Sequence, residues 1–283
     1  MRSEEEMFAL ILNTARSDER IRAVILNGSR ANPNAKRDLL QDFDIIYLVS
    51  EMDSFLADPG WVDCFGERII MQLPDEMDDP DCPSRQHFAY LMQFADGNRI
   101  DLTLVTRGYY FSRPFDSLSV LLLDKDGEIP AFPPASESDY LPQPPTEREF
   151  FNCCNEFWWV SPYVAKGLCR RELPYAKHML DEAVRAQLDK MLIWHIGLKG
   201  NFKVNPGKAG KYFEQTLESE LWEMLKQTYS GANYEETWQA LFTICALFQK
   251  VAQPLAIQFN YTYPQQEDEQ VNEYIRSLQQ RSA

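Results

Sequence analysis

Two stretches of this 283-residue sequence carry polar groups whose types and spacing could do chemistry. In the first, an apolar run at 21–26 (IRAVIL) is broken by Asn27-Gly28-Ser29. A polar loop, ANPNAKRDLLQ, follows, and Asp42-Phe43-Asp44 opens a second apolar run. In the second, Asp101 alternates with apolar neighbours in Ile100-Asp101-Leu102-Thr103-Leu104. Residues two apart on a strand point to the same face. Asp42 and Asp44 are therefore expected to project together, with Phe43 and Ile45 turned the other way. Asp101 likewise faces away from Ile100, Leu102 and Leu104. If the two strands are neighbours, three carboxylates converge.

Carboxylates so grouped repel one another unless cations compensate. Oxygen-only ligands favour a hard ion, Mg²⁺ above all. Two such ions about 4 Å apart can activate an attacking hydroxyl and stabilise the leaving oxygen of an in-line displacement. The loop before the aspartates suits the other half of such a reaction. Gly28 lets backbone N–H groups approach a phosphate, and Ser29 adds a hydroxyl donor. Arg30 brings forked donors that neutralise phosphate charge. An isolated Asp-x-Asp or Gly-Ser is common and usually just solvated. The order is more specific: apolar strand, Gly28-Ser29, twelve intervening residues, Asp-x-Asp, then a third alternating Asp. It makes Asp42, Asp44 and Asp101 the candidate metal-binding and catalytic residues, with Gly28, Ser29 and Arg30 on the phosphate side.

The elements that must position these groups read as follows. Ser3 and Glu6 form a capping-box pattern ahead of Met7, Leu10 and Ile11, so a short amphipathic helix opens the chain. Strands are expected at 21–26, 42–49 and 68–73. A hairpin is expected from 87–94 and 99–105 around Asp96-Gly97. Six prolines between 130 and 145 prevent regular structure and suggest a linker or wrapped segment. Thr146 and Glu149 then repeat the capping box. Helices follow at about 147–169, 175–196, 211–229, 234–258 and 268–280. The expected class is α+β: an N-terminal α/β domain with a mixed sheet over 1–145, its last part (130–145) a Pro-rich linker. A C-terminal helical bundle covers 146–283.

The helix from Thr146 has two readable faces. Phe150, Cys154, Phe157, Val164 and Leu168 recur at helical spacing and should pack inward. Glu149, Glu156, Trp159, Tyr163 and Lys166 lie opposite. An acid, two aromatics and a base are an unusual set for plain solvent exposure. Facing a cleft, Lys166 would reach a triphosphate, Glu156 would bind a cationic group or act as base, and Trp159 would stack on a sugar or guanidinium. A packed domain interface would use the same aromatics, and both readings stand. Glu182, on the next helix, is a candidate for a guanidinium or amine, against the plainer role of a solvated helix charge. The loop at 206–211 is basic and glycine-containing but is not a Walker motif. His195, beside Trp194 and Ile196, reads as a core histidine, and the three histidines lack metal-ligand spacing. Pro162 inside the helix is expected to kink it.

The formal charge is -15, from 28 Lys and Arg against 43 Asp and Glu. Such a surface repels nucleic-acid phosphates and attracts cationic small molecules; solubility alone also favours it. Six cysteines show no C-x-x-C pair, so neither a disulfide framework nor a zinc site is expected. The acidic opening segment has no leader character, and no run of about 18 apolar residues marks a membrane span. A reduced, cytoplasmic monomer without membrane or nucleic-acid partners is the expectation.

The Gly-Ser and Asp-x-Asp pattern resembles the polymerase-beta-like nucleotidyltransferase superfamily. More closely, the segments NGSRAN from Asn27, QDFDI from Gln41, DGNRIDLTL from Asp96 and CCNEFW from Cys153 resemble bacterial aminoglycoside 6-adenylyltransferases, as does Trp194-His195-Ile196. The likeness runs over nearly the whole chain and is weakest in the Pro-rich segment and the last fifteen or so residues. It implies ATP as donor, Mg²⁺ as cofactor and a streptomycin hydroxyl as acceptor, the outcome being antibiotic resistance. By the resemblance Asp42 and Asp44 match the metal-binding pair. Asp101 matches the third carboxylate, which can bind metal and take the acceptor proton. Ser29 and Arg30 match the phosphate-side loop. The base remains open between Asp101 and Glu156. A nucleotidyltransferase acting on a protein or another metabolite, and a non-catalytic nucleotide sensor, are the alternatives.

Overall fold

The computed structural model describes residues 1–78, 85–113 and 115–282. Cys82, one of the six cysteines, lies outside the described residues; the other five are free thiols. The chain divides into two compact units, Met1–Asp139 and Tyr140–Ala283.

The first unit is built on a six-stranded sheet: β1 (Ile21–Asn27), β2 (Phe43–Val49), β3 (Arg68–Gln72), β4 (His87–Phe94), β5 (Arg99–Thr106) and β6 (Ser119–Asp124). The strand order is β3-β4-β5-β2-β1-β6. Only the β2–β5 pairing is parallel, so the sheet is mixed, as expected. The opening helix, Glu4–Ser17, has the capping box that Ser3 and Glu6 imply, with Glu6 N donating to Ser3 Oγ at 3.2 Å. Its buried face, Met7, Ile11 and Ala15, meets Phe43, Ile45, Tyr47, Ile100, Leu102 and Leu104 on one side of the sheet. The Tyr47 hydroxyl donates to the Ile11 carbonyl at 2.6 Å, which satisfies a polar atom inside this layer. Alternation along the strands puts Ala23, Ile25, Leu48 and Val105 on the other side, with Ile129.

The hairpin turns at Gly97, whose φ of +88° suits glycine. Arg2 donates to Asp96 at 2.7 Å and ties the chain's start to this turn. The Arg2 guanidinium holds the Asp96 carboxyl well below its ordinary range. Strand β6 is an addition to the sequence reading. Most of its residues are half-buried, so SVLLLD shows no alternation to read.

The second unit is helical. Helix Glu147–Cys169 has its expected bounds and runs on through Pro162. Pro162 lacks an N–H to donate one turn back, while the Ser161 hydroxyl donates to the Phe157 carbonyl at 2.7 Å. The expected helix at 175–196 is three successive pieces: Leu173–His178, a π-helical turn Met179–Val184, and Arg185–Lys199. The expected helix at 211–229 is interrupted. It forms as Phe213–Thr216 and Ser219–Gln227, because Leu217 and Glu218 between them are extended. Tyr234–Phe259 and Gln265–Ser282 complete the unit.

Phe157 stacks on Phe248 at 3.7 Å between ring centroids, at the heart of a core that also holds Phe150, Cys154, Val164 and Leu168. Tyr234–Phe259 is long and apolar enough to cross a membrane, with a mean hydropathy of 1.5 over an 18-residue stretch. Eleven of its residues are buried in this core, which is reason enough for that composition. The Thr146 capping box is formed in both directions. Thr146→Ala is expected to lower stability by about 1 kcal/mol. A lower urea midpoint at unchanged slope would show it.

Candidate active site

Strands β2 and β5 are hydrogen-bonded neighbours, and Asp44 sits directly opposite Asp101. Across β1 and β6 the same rung continues through Asn27 to Ser119. Directly paired residues share a face, so the rung Ser119–Asn27–Asp44–Asp101 presents its side chains on one side of the sheet. The Ser119 hydroxyl donates to Asn27 Oδ1 at 3.0 Å. Asp42 lies one residue ahead of β2 rather than in it, because the ladder begins at Phe43. Its carboxylate still reaches the group: Arg99 Nε is 3.6 Å from Asp42 Oδ2 and 2.7 Å from Asp101 Oδ1.

The carboxylates feel one another. Burial pushes Asp44 up to about 6, and Asp101 and Asp42 add to the rise. Burial also raises Asp42, with Arg99 pulling it down and Asp101 pushing it up. Burial and like charge both raise these two acids, as expected of carboxylates grouped with too little positive charge beside them.

Gly28 ends β1 beside this rung with φ at +68°. A Cβ placed on it would lie 2.2 Å from Asp44 Oδ2. The loop backbone therefore approaches the carboxylate as only glycine permits. Ser29 follows in the single helical turn Gly28–Ala31.

Arg30 departs from the sequence reading. Its side chain turns inward and is buried. Nε donates to the Asp42 carbonyl at 3.0 Å, and a terminal nitrogen donates to the Gln41 carbonyl at 2.7 Å. The other terminal nitrogen is 3.3 Å from Glu4 Oε2, and the guanidinium carbon lies 3.8 Å above the Phe43 ring. With each of its three nitrogens in contact with a partner, the guanidinium clamps the backbone that carries Asp42. Gln41 Nε2 reaches back to the Ser29 carbonyl at 3.4 Å, a second tie between loop and strand.

Arg99 is the residue that sequence reasoning missed. It stands two before Asp101 on β5 and so shares its face, a signal present in Arg99-Ile100-Asp101. Its fork is bidentate on Asp101, at 2.7 and 2.8 Å. Among the described residues no three His, Cys, Asp or Glu side chains are drawn together closely enough to hold a metal as they stand. The donor set nevertheless fits a hard divalent ion: the ligands are carboxylate oxygens only, with Asp44 directly opposite Asp101 and Asp42 within reach of the same guanidinium.

The other candidates lie in the second unit. Glu156 and Trp159 are exposed, Trp159 by 65%. The Trp159 ring meets Tyr163 edge-on at 6.5 Å, and Lys166 Nζ lies 5.5 Å from the Tyr163 centroid and 5.9 Å from that of Tyr274. Glu156, Trp159, Tyr163 and Lys166 form one stripe on Glu147–Cys169, and Tyr274 meets it from Gln265–Ser282. Glu182 is exposed on the π-helical turn, while Asp181 beside it pairs with Lys177 and Arg185. Asp189, one turn past Arg185, is a half-buried carboxyl that burial pushes up to about 6. His195 is a buried core residue, as expected, bonded to Glu218 at 3.0 Å.

Comparison with known proteins bears on the chemistry of these groups. Residues 1–278 match the family model described as streptomycin adenylyltransferase. An aminoglycoside 6-adenylyltransferase of Campylobacter jejuni is 43% identical over 278 residues, 97% of this chain and 95% of that one. The Bacillus subtilis (strain 168) enzyme of that name is 40% identical over 98% of each chain. The Staphylococcus aureus one is 35% identical over 98% of this chain and 99% of its own. A crystal structure of an aminoglycoside 6-adenyltransferase from Bacillus subtilis matches 98% of this chain and 99% of that one, at 37% identity and a TM-score of 0.48. By the extent of these matches the chain belongs to the streptomycin adenylyltransferase family, and it is a nucleotidyltransferase enzyme.

Proposed function

We propose that this enzyme transfers AMP from ATP to a hydroxyl of streptomycin, in one in-line step dependent on Mg²⁺, in the cytoplasm and as a monomer. The observation that carries the reading is the rung in which Asp44 faces Asp101, with Gly28 packed against the Asp44 carboxylate and Asp42 beside them. Asp42 and Asp44 would hold the metal, with Asp101 as third ligand. Bound there, the ion would supply charge to the transferring phosphoryl group and activation to the acceptor hydroxyl.

The chain's own residues do the rest. Gly28 and Ser29 bring backbone N–H groups and a hydroxyl to the phosphates at the end of β1, next to Asp44. Asp101 accepts the acceptor proton, with Glu156 the other candidate. Lys166 binds phosphate, while Glu156, Trp159 and Glu182 recognise a cationic acceptor. The charge of -15 supports such an acceptor by raising its local concentration.

Incubation with labelled ATP and a panel of aminoglycosides, followed by mass analysis, tests the assignment. One adenylyl group on streptomycin is expected; transfer confined to kanamycin-type compounds contradicts it. Arg30 supplies a sharper check on the site. A phosphate ligand, once removed, would raise KM for ATP. A clamp on the Asp42 backbone should instead lower kcat. Arg30→Lys, which keeps the charge but loses the fork, is expected to cut kcat by at least about tenfold while KM for ATP moves by less than about threefold.

A further inference from the structure

Arg99 is placed where a divalent ion would be needed. Its fork closes on both oxygens of Asp101, and its Nε also lies 3.6 Å from Asp42. The side chain is 40% exposed, so the head has an open route to solvent. Its described side-chain hydrogen bonds all go to Asp101. Arg30, which also acts on Asp42 and Asp44, differs in each respect. It is buried, and its donors are committed to the carbonyls of residues 41 and 42 and to Glu4. One cation is buried among backbone carbonyls, and the other is part-exposed and bonded to carboxylate alone.

We infer that Arg99 is the resident counter-ion of the carboxylate group, and that divalent metal binding proceeds by breaking the Arg99–Asp101 fork and taking Asp101 from the arginine. The inference rests on the metal assignment to Asp42, Asp44 and Asp101 made above. It accounts for the lack of a ready three-ligand metal group in a site whose donors otherwise suit one. Asp101 is turned onto the guanidinium, which does by charge and hydrogen bonding what the metal would do by coordination. The arginine and the ion therefore compete. Removing a positive charge from beside three carboxylates deepens the negative potential that attracts a divalent ion. It also leaves the metal-free protein with uncompensated repulsion.

A residue that only braced the site would behave in the opposite way on the first count, because its loss would loosen the ligands and weaken metal binding. The test is a Mn²⁺ titration of the whole protein without nucleotide, with free Mn²⁺ read by electron paramagnetic resonance. Thermal midpoints in EDTA are measured alongside. Arg99→Gln is expected to bind Mn²⁺ at least about fivefold tighter than the native protein and to melt lower in EDTA. Arg99→Lys, which keeps the charge without the fork, should fall between the two and guards against a misfolded glutamine variant. Unchanged or weaker Mn²⁺ binding in folded Arg99→Gln and Arg99→Lys overturns the inference and leaves the metal assignment standing. Asp44→Asn separates the two: if it retains native Mn²⁺ binding, the metal assignment itself fails, and the role of Arg99 fails with it.

Discussion

Asp44→Asn is expected to abolish AMP transfer and, at the same time, to stabilise the metal-free protein at neutral pH. The loss of activity, at least about 10³-fold, follows if the carboxylate is a metal ligand and the metal carries the phosphoryl chemistry. The gain in stability follows from the cost of keeping Asp44 charged. Burial, with Asp101 and Asp42 nearby, lifts its carboxyl from 3.8 to about 6. Between these values the folded state holds a proton that the unfolded chain has released. Stability therefore falls as pH rises from about 4 to about 6, and the penalty persists above that window. About two units at 1.36 kcal/mol each set an upper bound near 3 kcal/mol, and partial solvent access brings the expected gain to about 1–2 kcal/mol. Asparagine removes the charge at nearly constant volume and so removes the contribution of Asp44 to the pH slope. Urea titrations in EDTA at pH 5 and pH 7 check this. The native protein should be less stable at the higher pH, and the variant should lose the Asp44 share of that difference and keep the share due to Asp189, which burial also pushes up to about 6. A variant less stable than native at pH 7 would contradict the account.

Gly28→Ala should be nearly as damaging to activity, by a different route. The added Cβ would lie 2.2 Å from Asp44 Oδ2, well inside any tolerable contact, and φ at +68° disfavours any side chain there. Either the loop rises or the carboxylate turns away. Both separate the phosphate side of the site from the metal side. A fall in kcat/KM of at least about 10²-fold is expected, with about 1–3 kcal/mol of destabilisation from backbone strain and the displaced acid. Steady-state kinetics with a parallel urea titration measure both. Native kinetics would mean that the loop and Asp44 are not in contact during turnover.

The sheet that places these groups was largely legible because strands announce themselves by alternation. Ile100, Leu102 and Leu104 on one side of β5 left Asp101 on the other, and the structure puts Asp44 opposite it. Capping boxes at Ser3 and Thr146 marked two helix starts correctly because the signal is local. The failures came where a residue's fate depends on distant partners. Arg30 follows Gly28-Ser29 and so suggested a phosphate contact. What turns it inward is Glu4 from the opening helix and the Phe43 ring, which no local pattern reveals. Arg99 is legible from its spacing to Asp101, since both lie on one face of β5, but the spacing alone does not show that its fork closes on that carboxylate. The π-helical turn Met179–Val184 has no composition to distinguish it from the α-helix around it.

The central claim is that Asp42, Asp44 and Asp101 form the metal-dependent centre for transfer. Pyrophosphate release from Mg-ATP in the presence of streptomycin tests it most directly, with the native enzyme, Asp42→Asn and Asp44→Asn compared at equal concentration of folded protein. The account predicts release by the native enzyme and none above background by either variant. Near-native turnover in both variants would contradict it.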